Sequence, residues 1–394
     1  MKIALIHNLK PLVKDSSLPA DHYSECDSPK TVRAISAALE KAGHTVLPVE
    51  ADRNLPVWLT QNPVDLAFNI SEGFEGEARE ARVPALLELM GIPCTGSGVL
   101  SLALALDKAK SKQIFRFSGV PTPNFQLFSR MDEPLDPKLK FPVIVKPNRE
   151  GSAKGILVSS VVGDEAALRI QVGRVLEMYG QEALAEEFIE GIELTVGILG
   201  EDQILPVLEI DFSGCKDSGE SFYSWRMKEY QGDKQQHLNP QFWCPARLSP
   251  HVTQAVQTVA WRAARALGAR DIARVDIRLS SDGIPFVLEV NPLPGIDPEE
   301  SNLPIMVRAA GLSYEALIQR LVQLAMERSK RRIAASPSYL SSSHPTGPTP
   351  ETPRSDALPG SAVQGKGQPE SPMTAVRGKS RRRAEARTDD LKEE

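Results

Sequence analysis

The chain has 394 residues, 41% hydrophobic and 25% charged, with a formal net charge of -5 and a pI near 5.8. This is ordinary globular composition with enough apolar residues for two or three packed domains, which excludes a fibre, a peptide and a wholly disordered chain. The acidic balance argues against a nucleic-acid binder that works through a basic surface, so any anion site has to be local.

No apolar run approaches the roughly 20 residues of a spanning helix, and Met1 leads into a strand-like run at 3–7 with no signal-peptide pattern, so the expected location is cytoplasmic, with no membrane partner. Cys26, Cys94, Cys215 and Cys244 show no CxxC spacing and are expected as buried or incidental thiols.

Over the first hundred residues, apolar runs at 3–7, 44–49 and 64–69 alternate with an amphipathic stretch at 28–42, which predicts an α/β layout around a parallel sheet. Ser28-Pro29 supplies a cap and an N1 proline for that helix, and Gly43 ends it. A second helix is predicted at 77–90, stopping at Gly91, and a helical segment at 100–118 runs into Pro121 and Pro123. A strand at 141–146 opens a new unit, continued by a helix at 165–179 and strands at 184–188 and 194–199 on either side of Glu190-Gly191. Then come further strands, a polar loop at 213–240, an amphipathic helix at 252–267, a hairpin at 272–291 and a closing helix at 314–328.

After Ser329 the composition turns to Ser, Pro, Gly, Thr and charge without an apolar period, so 336–394 is expected to be a disordered tail. Its run Lys379-Ser380-Arg381-Arg382-Arg383 reads as a solvated end, with contact to nucleic acid or an acidic surface as the alternative.

The hairpin carries the strongest local signal, an Asp282-Gly283 pair between two alternating strands. With those two residues as the loop, Asp276 lies opposite Glu289 and Arg274 opposite Asn291, all on one face. Val275 then meets Val290, Ile277 meets Leu288 and Leu279 meets Phe286 on the apolar face. Carboxylates placed directly opposite each other repel, and the oxygen ligands Asp276, Glu289 and Asn291 suit magnesium or manganese. A solvated face on which Arg274 and Arg278 pair with the acids is the alternative.

A lysine, Lys146, ends the strand at 141–146, and a loop from Arg149 to Gly155 follows, whose backbone N–H groups can fold over a polyphosphate while Lys146 adds a point charge. An ordinary turn remains the alternative for a loop of this kind. A second lysine, Lys108, follows Asp107 in the helical segment and could reach the same phosphates from another side, or is a surface lysine. The strand at 184–189 offers an adenine edge with Glu193 for ribose hydroxyls, or is plain core.

Taken together, residues 87–98 (LELMGIPCTGSG), Asp107-Lys108, Val143 to Gly155, and Leu288-Glu289-Val290-Asn291 with Pro294-Gly295 resemble the ATP-grasp superfamily and its D-alanine-D-alanine ligase family, over about 66–324. The resemblance implies an α/β fold, α+β in the ATP-grasp part: an N-terminal open parallel-sheet domain (1–100, the pre-ATP-grasp domain), a central ATP-grasp subdomain (101–195), a C-terminal one with the metal and substrate site (196–332), and the tail (333–394). It implies an ADP-forming ligase that makes a peptide bond through an acyl phosphate for peptidoglycan precursor synthesis, with ATP and Mg2+ (or Mn2+) as cofactors. The partners would be small-molecule amino acids, with room for a homodimer and no nucleic acid.

Residue by residue, the resemblance gives the ATP phosphates to Lys108 and Lys146 with the loop glycines Gly151 and Gly155, and the adenine and ribose to Glu186, Glu187, Ile189 and Glu193. The metal goes to Asp276, Glu289 and Asn291. Arg274 and the Gly295 amide match the oxyanion pair, Ser152 the loop serine near the substrates, Lys228 a lysine of the mobile substrate loop, and Glu25 the acid that contacts the first amino acid's amine. Ser301 matches the serine for the second substrate's carboxylate, and Glu75 is placed with it on the substrate side.

Departures concentrate where substrates are chosen. The glycine-rich first loop is replaced by His7-Asn8-Leu9-Lys10-Pro11 and a longer polar insert reaching Glu25. A histidine-containing loop is replaced by residues 69–76 (NISEGFEG), and the loop tyrosine falls on Glu229, with Tyr230 one step on. A ligase for another amino acid, peptide or hydroxy acid is therefore the second reading, and a non-catalytic nucleotide-binding protein the third.

Overall fold

The computed structural model describes residues 1–335 apart from 14, 16 and 231–237; the expected tail at 336–394, with its basic run, lies outside the described residues. The chain opens with a parallel sheet in the order β2–β1–β3, formed by β1 (Lys2–His7), β2 (Thr45–Glu50) and β3 (Leu66–Asn69). Helix α1 (Pro29–Lys41) makes the first crossover. Ser28 caps it by accepting from Thr31 N, and Pro29 sits in the first turn where no N–H is needed.

The second crossover, α2 (Leu55–Gln61), is absent from the sequence reading because its seven residues are too few for a helical period to show. The helix expected at 77–90 is shorter, a 3-10 turn at Arg79–Ala81 followed by α3 (Arg82–Leu89). The segment expected at 100–118 is two helices, α4 (Val99–Leu106) and α5 (Lys108–Phe117). Asp107 leaves the helix between them and caps α5 from its side chain through Lys110 N.

A second, antiparallel sheet runs β4–β7–β5–β6, from β4 (Phe125–Phe128), β5 (Val143–Pro147), β6 (Val161–Val162) and β7 (Ala183–Glu187). Helix α6 (Glu165–Tyr179) buries Leu168, Val172 and Val175 against it. The third sheet runs β11–β10–β8–β12–β13, with β9 paired to β8. Its strands are β8 (Gly191–Leu199), β9 (Gln203–Ile204), β10 (Leu208–Asp211), β11 (Gln241–Trp243), β12 (Ile272–Ser280) and β13 (Pro285–Asn291).

The expected polar loop at 213–240 contains a short helix, α7 (Trp225–Tyr230). Helix α8 (Pro250–Ala266) packs Val256, Val259 and Ala263 in one cluster with Val275, Ile277 and Val287. Helices α9 (Asn302–Ala309) and α10 (Tyr314–Ala335) return to the first sheet, where Leu317 and Leu321 share a core with Ile3, Leu5 and Ile35. All four cysteines are free thiols, and among the described residues no helix is long and apolar enough to cross a membrane.

The hairpin at 272–291 reaches its expected pairing by a different route. Ser280 N donates to Ile284 O, so the loop is the three residues Ser281-Asp282-Gly283, one more than expected. From there Leu279 pairs with Pro285, Arg278 with Phe286 and Ile277 with Val287, one step out of the expected register. A bulge between Asp276 and Ile277 then absorbs Leu288 as the extra residue, and Asp276 meets Glu289, Val275 meets Val290 and Arg274 meets Asn291 as read. The bulge shows at Leu288: Val287 takes the core position, and Leu288 turns to a cleft beside β13.

On the other edge of β12, where it pairs with β8, Gly191 (φ +147) lies so close that a Cβ would sit 1.9 Å from Leu279 O. Backbone on both sides leaves nothing flexible to yield. Gly191→Ala should therefore cost about 3 kcal/mol, the upper end for overpacking, and lower the denaturation midpoint; an unchanged midpoint would mean that β8 is free to shift.

Candidate active site

Strands β12 and β13 bring Arg274, Asp276, Glu289 and Asn291 to one face. Arg274 clasps Asp276 from Nε at 2.9 Å and Nη2 at 2.8 Å, Thr195 Oγ1 donates to it at 2.7 Å, and Asn291 Nδ2 at 3.0 Å. Lys108, at the start of α5, stands 3.2 Å from Glu289. Burial opposes the charge on Glu289, but Lys108, Lys146, Lys228 and Arg274 outweigh it and hold this carboxylate well below its usual range. Burial also opposes the Arg274 charge, and Asp276 outweighs it. Two carboxylates and a carboxamide on one face form an all-oxygen set that fits a hard divalent cation; with its NH2 on Asp276, Asn291 has its carbonyl oxygen to offer.

Beside this face lies a narrow cleft lined by Ile144, Phe188, Ile189, Ile210, Phe222 and Leu288. Lys146 also lines it, and its ammonium bonds Glu186 Oε1. Lys112, fully buried on α5, holds the other oxygen of Glu186 at 2.7 Å and donates to Thr122 Oγ1 at 3.0 Å. The Glu186 carboxylate is thus the counter-charge of two lysines and is not open to an adenine. Burial pushes Lys112 down to about 8, with Glu186 working against it. Lys112 went unread in the sequence, although its position four residues after Lys108 puts both on one helix face.

Glu187 turns its carboxylate away to Asn124 Nδ2 and Lys140 N, both at 3.1 Å, so only its backbone is offered to the cleft. Glu193 lines the cleft, accepting from Tyr223 N at 3.3 Å near Arg278; burial raises its pKa against the pull of that arginine.

The loop after β5 is wound tightly: Ser152 (φ 48), Ala153 (φ 58) and Gly155 (φ 77) are all left-handed, and a Cβ at Gly155 would sit 2.6 Å from Pro147 Cδ. Its amides are held by the N-terminal insert. Gly151 N donates to Glu25 Oε1 at 2.7 Å, and Gly155 N to Asp21 Oδ2 at 2.7 Å, where Tyr179 also donates. Glu25 further takes Arg79 at 2.5 Å and Lys154 at 3.2 Å, so both of its oxygens are engaged. Burial raises its pKa, and Arg79 and Lys154 pull it below the usual value. The same insert reaches α7, where Trp225 Nε1 donates to Ser24 Oγ at 2.8 Å and Lys10 stands 3.6 Å from Glu229.

Between these covers and the β13–α9 turn is a cavity of about 370 Å³. It brings together Glu25, Gly151, Ser152, Gly295 and Ser301 from the expected set, and shares Lys108, Glu150, Tyr223, Lys228, Arg274, Glu289 and Asn302 with the cleft. A Cβ at Gly295 would lie 3.0 Å from Ser301 Oγ, which accepts from Asp297 N at 3.0 Å. Burial and Arg274 lower the pKa of Lys228.

Glu75 is not part of this assembly. The chain turns at Gly73 (φ +73), and Glu75 is exposed on a separate cavity beside Arg149 and Lys154. Glu72 and Glu80 line the main cavity instead, with Lys10, Asp27 and Glu300. None of these was legible, because an irregular loop has no period that says which of its acids turns inward.

Residues 114–323 match the family model described as D-ala D-ala ligase C-terminus. The chain is 36% identical over 302 residues to the D-alanine--D-alanine ligase of Desulforudis audaxviator, covering 75% of this chain and 92% of the relative. It is also 36% identical over 305 residues to the uncharacterized protein y4sG of Sinorhizobium fredii, covering 75% and 87%. Among solved structures it resembles the D-alanine--D-alanine ligase from Bacillus anthracis complexed with ATP, at 26% identity and a TM-score of 0.65, covering 84% of this chain and 99% of that one. The VanG D-Ala:D-Ser ligase from Enterococcus faecalis, at 23% identity and a TM-score of 0.62 over 82% and 99%, shares the fold.

On the cavity wall, burial, Glu50 and Asp297 push Asp27 up to about 8. An acid whose folded pKa is raised binds its proton more tightly in the native state, so stability falls as pH rises from its unfolded value near 3.8 towards about 8. Asp27→Asn should therefore raise the melting temperature more at pH 8 than at pH 5. Equal shifts at the two pH values would show that Asp27 titrates normally.

Proposed function

The chain belongs to the D-alanine-D-alanine ligase family of ATP-dependent carbon-nitrogen ligases, and on that premise we propose that it joins the carboxylate of one D-alanine to the amine of a second, making a peptidoglycan precursor in the cytoplasm. The observation that carries this reading is the shared wall of cleft and cavity, where Lys108, Lys228, Arg274 and Glu289 belong to both. A group bound in the cleft and a carboxylate bound in the cavity meet at those four side chains. Family membership removes the non-catalytic reading.

When bound, ATP supplies the phosphoryl group that turns the carboxylate into an acyl phosphate, and Mg2+ (or Mn2+) supplies the positive charge that steadies its transfer. Asp276, Glu289 and Asn291 would hold the metal. Lys146 and Lys108 bind the phosphates; Lys146 is kept in place by Glu186 and Lys112, so its charge needs little reorganisation. Ile189, Phe188, Leu288 and the backbone of Glu187 enclose the adenine, with Glu193 for the ribose.

Arg274 and the Gly295 amide steady the oxyanion that forms when the neutral amine attacks the acyl carbon and inorganic phosphate leaves. Ser301, at the start of α9, takes the second substrate's carboxylate. Ser152, Gly151, Gly155 and Lys228 belong to the covers that keep water from the acyl phosphate. A different amino-acid partner is the second reading, favoured by the acidic wall of Asp27, Glu72 and Glu80 in the region where the chain departs from its family.

The test is ADP release with Mg-ATP across single amino acids and pairs, with the product weighed by mass spectrometry. D-Alanine should drive turnover and give the dipeptide. Lys146→Met and Asp276→Asn should each lower kcat by about 10²- to 10³-fold, the scale for losing one preorganised charge at a developing anion. A dipeptide from another pair alone would replace the substrate and keep the mechanism, whereas ADP release indifferent to every amino acid would remove the ligase reading.

A further inference from the structure

The cavity wall formed by the loop at 71–80 holds an excess of negative charge. Carboxylate oxygens of Glu25, Glu72 and Glu80 lie within 4.8 Å of one another. Glu25 is fully engaged by Arg79, Lys154 and the Gly151 amide. The other two differ: among the described residues no hydrogen bond or ion pair reaches the carboxylate of Glu72 or of Glu80, and Glu80 is only 9% exposed. Both line the substrate cavity. A cationic ligand in the cavity would therefore meet two carboxylates that no donor among the described residues already occupies.

We infer that Glu72 and Glu80 together receive the ammonium group of the amino acid whose carboxylate is activated, in place of Glu25. This rests on the ligase reading above and names the group that selects its first substrate. Glu25 has been drawn into holding the glycine loop, and a carboxylate whose oxygens already take a guanidinium, an ammonium and an amide has little left to give a substrate. A divalent ion fits less well. With Glu25 engaged, two carboxylates fall short of the six or more oxygens such ions take, whereas an ammonium is satisfied by two or three acceptors.

The electrostatics agree. Burial, with Glu25 and Glu80 as like charges, raises Glu72 well above its usual pKa, and burial raises Glu80 to about 7 although Arg79 and Lys108 oppose it. Each group is short of positive charge, and a bound ammonium would supply it.

The experiment uses the full chain with Mg-ATP and a panel of amino acids, each matched with its 2-hydroxy acid, in wild type, Glu72→Gln and Glu80→Gln. The wild type should turn over an amino acid and discriminate against its hydroxy analogue. Each variant should raise the KM for the amino acid by about 10- to 100-fold with kcat little changed, and lose discrimination by the same factor, the scale for removing one partner of a buried polar group. ADP binding measured alongside should stay at the wild-type value; if Glu72→Gln loses it through misfolding, Glu80→Gln decides.

Variants that keep the wild-type KM and discrimination overturn the assignment. A wild type that accepts hydroxy and amino acids equally also overturns it and leaves the ligase reading standing, while a wild type that binds ADP but turns over nothing in the panel removes both.

Discussion

Asp276 and Glu289 face each other on neighbouring strands inside a cleft that excludes much of the water that would screen them. Their repulsion is tolerable because Arg274 grips one and Lys108 reaches the other, with Thr195 and Asn291 completing the bonds to Asp276. The rest of the site is organised around this balance. On the function proposed above, a cation at the acids would compete with Arg274 for Asp276, and phosphates beside it would compete with Glu289 and Glu186 for the lysines. Each ligand would then exchange one ionic partner for another, with the charged side chains already aligned by their present partners.

The lysine pair on Glu186 shows the same logic one layer down. An isolated charge at the depth of Lys146 would be costly to bury. Glu186 pairs with it, and Lys112 compensates the carboxylate in turn, anchored through Thr122 to the backbone of Val287 in β13. The floor of the cleft and the hairpin are thereby connected by direct bonds.

Much of the fold was legible because period and punctuation are local properties: Ser28-Pro29 and Gly43 bracket α1, and the run at 165–179 is α6. The face that carries Arg274, Asp276, Glu289 and Asn291 was legible because strand alternation alone dictates which side chains share it. What could not be read was set by geometry between segments. The bulge at Leu288 follows from packing and hides in the sequence because the longer turn cancels its effect on the acids. Short α2 lacks a period, and nothing local says that Asp21 and Glu25 will cap the glycine loop from more than a hundred residues away, or that Glu72 faces inward where Glu75 does not.

That cancellation has a practical side. Between Ile277 and the loop, the two strands keep a register of their own, and the bulge separates it from the pairing at Asp276 and Glu289. The hairpin tip from Ser281 to Ile284 is largely exposed and is insulated from the chemistry by that discontinuity. A reporter group or a short graft placed there would sit on exposed chain while the acids kept their alignment, which makes the tip a handle on the hairpin that carries them.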